Sequence, residues 1–278
     1  MTKSPAGSNA QTPPSPGSTV QIELTGLGGI SIELAHGVTV TPATLVTLEA
    51  ISDHRDRLEG VVMDWGSGSG ALAIAAARIP SVRRVIALEL SADAVSLAER
   101  NVGANRVADK VVVVRSDGFV PVDPSHRRMV DTLRGAVDAV VSNPPPSVGD
   151  DGFEWRRRVM TGAADFLEPG GLVLLQVSRQ YGPERVNRLV SKIGAYEAEG
   201  VVASSGWVPM DMGRTDLVRL LRDMVAEEAR GGPPYRFGDP EDPERGHISA
   251  TEALRRHRDE GIEPLTQWQV RRFRFTGR

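Results

Sequence analysis

Cysteine is absent from the 278 residues, which excludes disulfides, thiolate zinc sites and cysteine nucleophiles together. Histidine is sparse: His36, His54, His126, His247 and His257 stand without ligand spacing, so no metal is expected. Long apolar runs are also missing. The longest candidates, 71–77 and 172–177, fall far short of the ~20 residues that cross a bilayer. Residues 1–19 are rich in Ser, Pro, Gly and Thr and lack the apolar core of a signal peptide, so 1–18 are expected to form a disordered tail and the protein to be cytoplasmic. The excess of positive charge that sequence-independent nucleic-acid binding needs is lacking too, because the net charge is −3. Arg271, Arg272, Arg274 and Arg278 crowd the C-terminal stretch, where the alternation in RRFRF reads as the solvent face of one β-strand.

With 40% hydrophobic residues the chain has material for a substantial core. VQIEL (20–24) and ISIEL (30–34) alternate apolar and polar residues around TGLGG, the pattern of a β-hairpin, and a short helix is expected after Pro42. From residue 60 onward, strand candidates at 61–65, 84–88, 111–115, 137–142, 171–177 and about 196–203 alternate with helical segments at about 70–79, 91–103, 152–167 and 182–193. Strict alternation predicts an α/β fold, a parallel sheet with helices on both faces. Ser91 is the expected N-cap of the second of these helices, and EPGG after Leu167 the stop and turn before the fifth strand.

Beyond Pro209 the alternation breaks. Helices at about 214–229 and 249–260 flank GGPPYRFGDPEDPERGH, which reads as irregular, and TQWQVRRFRF forms a final strand. The expected organisation is a tail (1–18), a hairpin and helix (19–59) and a main α/β unit (60–278) with an insertion at about 211–264. A separate small C-terminal domain is the alternative.

The sharpest local signal is VVMDWGSGSGALAIAAA, in which an apolar strand leads through Gly66, Gly68 and Gly70 into a helix. Such glycines adopt backbone angles closed to other residues and let a ligand approach the main chain. Two ligand classes share this device. The run from Gly66 to Ala71 also satisfies the dinucleotide fingerprint GxGxxA, and Glu89, 23 residues after Gly66, suits a ribose diol in either case. Asp64 tilts the choice: a carboxylate there opposes a pyrophosphate but attracts the sulfonium and ammonium of S-adenosylmethionine. The competing reading is that Asp64 only hydrogen-bonds the turn.

VVMDWGSGSGALAIA together with VIALELS resembles motif I and the following acidic strand of class I S-adenosylmethionine methyltransferases, over roughly residues 38–210. The resemblance implies a Rossmann-like sheet, mostly parallel with an antiparallel last strand. It also implies that Asp64, Gly66, Ser67, Gly68 and Gly70 line the methionine portion, that Glu89 takes the ribose hydroxyls, and that Asp117 of SDGF lies beside the adenine amine. On the same resemblance Thr41, Leu90, Gly118 and Asn143 complete the donor site.

The fourth strand candidate ends in Asn143, Pro144, Pro145 and Pro146, and in a parallel sheet that end faces the same cleft as the glycine loop. Methyl transfer to nitrogen needs the acceptor held in line. The side-chain oxygen of Asn143 and the main-chain oxygen of Pro144 can accept its hydrogens, and proline fixes the backbone while removing competing donors. Asn143, Pro144 and Pro145 are therefore the expected catalytic residues. The tetrapeptide resembles the NPPY/NPPF motif of amino-directed methyltransferases, a group that includes release-factor glutamine methyltransferases, RNA base methyltransferases and DNA adenine methyltransferases. The motif order and LAERNVGANRV, with Asn101 and Asn105, match the release-factor type and the small ribosomal RNA methyltransferase domain.

One departure is Pro146 where the family carries an aromatic ring; Trp65, Phe119, Phe153 and Trp155 are candidates to replace it. A second candidate is the segment 231–247, read as a lid carrying Tyr235, Arg236 and Phe237 over the acceptor, against the plainer reading of a surface loop with locally packed rings. The acceptor stays open among a protein side chain, an RNA base and a small-molecule amine, with no membrane partner expected. Two other functions stay open: an NAD(P)-dependent oxidoreductase, although Tyr181 is followed four residues later by Arg185 rather than Lys, and a methyltransferase-like binding module without catalysis.

Overall fold

The structure, a computed structural model, describes residues 17–35, 37–147 and 151–277. The tail expected at 1–18 lies almost wholly outside the described residues, as does His36. The chain opens with the antiparallel hairpin β1 (Thr19–Leu24) and β2 (Gly28–Glu33), followed by α1 (Pro42–Asp53). Thr41 and Thr44 start α1 with a reciprocal capping box, each side chain accepting the other's backbone N–H, and Pro42 occupies the first turn.

The alternating part comprises β3 (Gly60–Trp65), α2 (Ala71–Ala77), β4 (Val82–Glu89), α3 (Ala92–Ala104), β5 (Val111–Asp117), β6 (Val120–Pro121), α4 (Pro124–Asp131), β7 (Val137–Ser142), α5 (Glu154–Ala163), β8 (Leu167–Gln176), α6 (Gly182–Ile193) and β9 (Tyr196–Ser204). β10 (Val208–Pro209), α7 (Thr215–Ala229), β11 (Phe237–Gly238), β12 (His247–Ile248), α8 (Ala250–Glu260) and β13 (Leu265–Thr266) follow, and β14 (Gln269–Phe275) closes the fold.

Eight strands form the main sheet in the order β6-β5-β4-β3-β7-β8-β14-β9. The five inner strands from β5 to β8 run parallel, and β14 slots antiparallel between β8 and β9. Strand residues alternate between two cores. Met63, Trp65, Ile86, Leu88 and Leu175 pack toward the face that holds Val159 and Met160 of α5 and Val186 of α6; Val62, Val85, Val141 and Leu174 pack toward α1, α2 and the hairpin. Continuous apolar strands are what a sheet covered on both faces requires. Because β3 lies between β4 and β7, the strand order reverses there, and the crevice for a ligand opens above its C-terminal end.

Two asparagines of α3 fasten the hairpin. Asn105 accepts from Ser31 N–H (2.9 Å) and donates to its carbonyl (2.7 Å); Asn101 accepts from Glu33 N–H (2.8 Å) and donates to the carbonyls of Glu33 and Ser69 (3.1 and 2.9 Å). Each buried amide thus satisfies backbone groups that the edge strand β2 would otherwise leave unpaired.

Two expectations are corrected. EPGG does not precede a strand but lies inside β8 as an irregularity, where Val137 pairs with Leu167 and Ala139 with Leu172. The segment 231–247 is not devoid of regular structure either. It carries β11 and the start of β12, which join β10 and β13 in a four-stranded sheet ordered β10-β13-β11-β12. Such short strands carry no legible alternation, because pairing partners distant in sequence define them.

Candidate active site

The glycine loop leaves β3 at its C-terminal end. Gly66, Gly68 and Gly70 have φ of 71°, 54° and 79°, a left-handed region that side-chain-bearing residues rarely adopt. A Cβ on Gly66 would meet nothing within 4 Å, and one on Gly68 would meet only Val38 Cγ1 at 3.6 Å, so the main chain here lies open to a ligand.

Asp64, at the end of β3, is fully buried. Its Oδ2 accepts the N–H of Ala73 in the first turn of α2 at 3.0 Å, replacing the side-chain cap that Gly70 cannot provide. Its Oδ1 is buried with no hydrogen-bond partner among the described residues. Burial, partly offset by the Ala73 N–H and reinforced by the charge of Glu89, pushes the Asp64 carboxyl up from 3.8 to about 7. Both readings of Asp64 therefore have a structural basis: one oxygen holds the helix, and the other is a desolvated acceptor. Ser67 is likewise buried with an unpartnered hydroxyl.

Glu89 ends β4 and braces the loop. Its Oε2 accepts Gly68 N–H and its Oε1 accepts Ser91 N–H, each at 2.9 Å. Every oxygen keeps a second lone-pair direction for a hydroxyl. Leu90 beside it is 56% exposed, an apolar surface at the rim. Asp117 ends β5 and is ion-paired with Arg158 of α5 at 2.8 Å, with both side chains largely exposed, so a nucleobase amine would have to share this carboxylate with Arg158. Gly118 (φ 60°) lies against Trp65, whose Nε1 would be 3.3 Å from a Cβ there.

The Asn143 end is joined to the loop directly. Trp65 and Ser142 are register partners in β3 and β7, and the Ser142 hydroxyl donates to the Trp65 carbonyl at 3.0 Å. Asn143 Nδ2 donates to Thr44 Oγ1 at 3.3 Å, and the same oxygen accepts Thr41 N–H at 3.2 Å. Thr41 thus reaches Asn143 through Thr44 and the N-terminus of α1. Pro144 is buried, while Pro145 and Pro146 are exposed.

Sequence reasoning missed Thr44 and Arg158. Thr-x-x-Thr around Pro42 was a legible capping signal, but its partner Asn143 lies 99 residues from Thr44. Of the rings considered as replacements at Pro146, Phe153 is buried against Tyr181 (5.2 Å) and Phe119 stacks on Phe166 (5.3 Å). Trp155 is half-buried, 6.3 Å from Trp65 and capped by the Arg158 guanidinium at 5.1 Å.

The lid expectation fails. Tyr235 and Phe237 are buried in the chain's own core, with Arg185 3.6 Å from the Tyr235 ring centre, and Arg236 is ion-paired with Glu184. Arg185 in turn pairs with Glu227 and donates to the carbonyls of Pro233 (2.6 Å) and Pro234 (3.2 Å). The aromatics of this segment stabilise its attachment instead of covering a site, which is the plainer of the two readings.

A parallel sheet with a glycine loop at its reversal point, acidic ends on the following strands and an antiparallel strand inserted near one edge defines the class I methyltransferase fold. A profile of the family described as methyltransferase small domain matches residues 39–201, and the chain belongs to that family. Its family and fold are those of class I S-adenosylmethionine-dependent methyltransferases.

Among curated relatives, the chain is 31% identical over 193 residues to a release factor glutamine methyltransferase of Moorella thermoacetica, covering 59% of this chain and 64% of that protein. It is 31% identical over 150 residues to the enzyme of the same name from Gloeobacter violaceus, covering 46% and 49%. It is also 31% identical over 141 residues to a ribosomal protein uL3 glutamine methyltransferase of Bradyrhizobium diazoefficiens, covering 47% and 44%. The chain spans about half to two thirds of the length of these relatives. The nicotinamide alternative is not favoured: a pyrophosphate would face the buried Asp64, and the matched family is one of methyltransferases. Among the described residues no helix is long and apolar enough to cross a membrane.

Proposed function

We propose that this protein transfers a methyl group from S-adenosylmethionine to the side-chain amide nitrogen of a glutamine in a protein acceptor. The observation that carries the reading is the pairing of Trp65 with Ser142, which sets the Asn143-Pro144 clamp beside the glycine loop. Relatives named for glutamine methylation of a release factor and of ribosomal protein uL3 support the acceptor class.

The residues present fit the donor. Asp64 Oδ1 and Ser67 Oγ are buried polar atoms lacking partners, the loop above Gly66 is open, and Glu89 keeps free acceptor directions. In this reading Asp64 attracts the cationic methionine end, Glu89 takes the ribose hydroxyls, Asp117 and Gly118 border the adenine, and Thr41, Leu90 and Asn143 complete the wall. When bound, S-adenosylmethionine supplies an electrophilic methyl group on its sulfonium. Asn143 Oδ1 and the Pro144 carbonyl accept the two N–H groups of the acceptor amide, turning the nitrogen toward that methyl. Thr44 accepts from Asn143 Nδ2, so the amide is fixed with its oxygen free for the acceptor. Alignment of this kind supplies about 7 to 11 kcal/mol of a bimolecular barrier.

Asn143→Ala tests the reading, with purified release factors and ribosomal protein uL3 as acceptors and glutamine methylation read by mass spectrometry. The expected result is a fall in kcat of more than about tenfold, with a much smaller loss of donor affinity. Normal kcat with a large loss of donor binding would overturn the clamp.

A further inference from the structure

One row of register partners crosses the sheet from the donor side to its far end: Leu88, Trp65, Ser142, Leu175 and Arg271. Register partners project to the same face, and adjacent strands lie about 4.8 Å apart, so Arg271 stands about 10 Å along the row from Ser142, the residue before Asn143. The other three arginines of this neighbourhood have companions. Arg272 and Arg274 pair with Glu199 at 2.6 and 3.0 Å, Arg274 also with Glu197, and Arg179, three residues beyond β8, lies over the Trp207 ring at 5.0 Å.

Arg271 is different. It is half-buried, its Nε is enclosed without a hydrogen-bond partner, and no carboxylate among the described residues is within ion-pair reach. Arg179 has no carboxylate partner in that set either. Burial, and after it the charge of Arg179, holds the Arg271 guanidinium below its ordinary range. An enclosed guanidinium beside a second one, with no counter-charge, is costly unless something anionic comes to it.

We propose that Arg271 and Arg179 form an anion-binding subsite for a carboxylate side chain of the acceptor polypeptide, with Trp207 as one wall. This rests on the acceptor reading above. At about 3.3 Å per extended residue, a separation of about 10 Å puts the carboxylate about three residues from the methylated glutamine. A single carboxylate suits the surroundings better than a chain of phosphates. Glu244 accepts from Trp207 Nε1 at 2.8 Å, Glu197 and Glu199 line the adjoining strand, and the whole chain carries a net charge of −3.

The test is calorimetric titration of the intact protein with acetyl-Glu-Ala-Ala-Gln-amide and with the neutral peptide in which Gln replaces Glu. The acidic peptide should bind at least about tenfold more tightly, a preference that Arg271→Gln removes and Arg271→Lys partly restores. Arg179→Gln, at a half-buried position in the 3-10 turn Arg179–Tyr181, should reduce the same preference and keeps the test open if Arg271→Gln does not fold. Equal binding of the two peptides, no binding of either, or tighter binding of an oligouridylate through the same arginines would overturn the proposal. Preference for the acidic peptide without methylation of either would support the subsite and count against the glutamine acceptor.

Discussion

Replacing Asp64 by asparagine separates its two proposed tasks. The carboxyl has a higher proton affinity folded than unfolded, rising from 3.8 to about 7 because it is buried, with the Ala73 N–H only partly offsetting that effect. Its contribution to stability is therefore complete below pH 3.8 and is lost as pH rises through about 7. At 1.36 kcal/mol per tenfold change in proton affinity, that rise corresponds to about 4 kcal/mol of destabilisation at pH 8.

An asparagine oxygen can still accept Ala73 N–H, so α2 keeps its cap, but the new amide places a donor where Oδ1 has no partner, at a cost of about 1 to 3 kcal/mol. Urea unfolding at pH 8 should accordingly find Asp64→Asn more stable than wild type by about 2 kcal/mol, with the difference shrinking or reversing near pH 5. Donor affinity should move oppositely. A cationic donor prefers the ionised carboxylate, so wild-type affinity should rise from about pH 5 to about pH 7, approaching tenfold per pH unit at the acid end, and the variant should bind weakly with a flat profile. A variant with the wild-type pH dependence of both stability and donor affinity would refute the assignment.

Glu89→Gln should weaken donor binding by about 1.5 to 3 kcal/mol in calorimetry, because it removes charge from an acceptor that braces Gly68 and Ser91; an unchanged dissociation constant would argue against this placement of the ribose. Thr44→Val should lower kcat with little change in donor affinity, and Thr44→Ser should restore it, since only the hydroxyl reaches Asn143. Arg185→Met should lower stability by about 3 to 5 kcal/mol in denaturant unfolding, because it strands the buried Glu227 and leaves the Pro233 and Pro234 carbonyls without their donor. For the same reason, replacing residues 232–246 with a Gly/Ser linker should destabilise the fold, since Tyr235 and Phe237 leave the core with it.

What the sequence determined by itself is whatever one local stretch encodes. The strands β3, β4, β5, β7 and most of β8, the glycines of the loop, the helix after Pro42 and the Asn-Pro-Pro at a strand end were legible, because burial on both faces, glycine's freedom and proline's restriction act within a few residues. Tertiary structure alone decided how those pieces share their atoms. Asp64 gives Oδ2 to a helix N–H while Oδ1 is buried without a partner among the described residues, and Thr44 reaches Asn143, 99 residues away. Asn101 and Asn105 complete the edge strand β2 from a helix, 68 and 74 residues further along the chain. Residues 231–247 show the same limit: Tyr235 and Phe237 sit in a Gly/Pro-rich stretch that reads either as a cover or as a surface loop with packed rings, and Arg185, Tyr181 and the two-residue strands that bury them are brought together only by folding. Arg271 stands in line with Ser142 because β14 passes between β8 and β9, a register fixed by strand order and invisible in RRFRF.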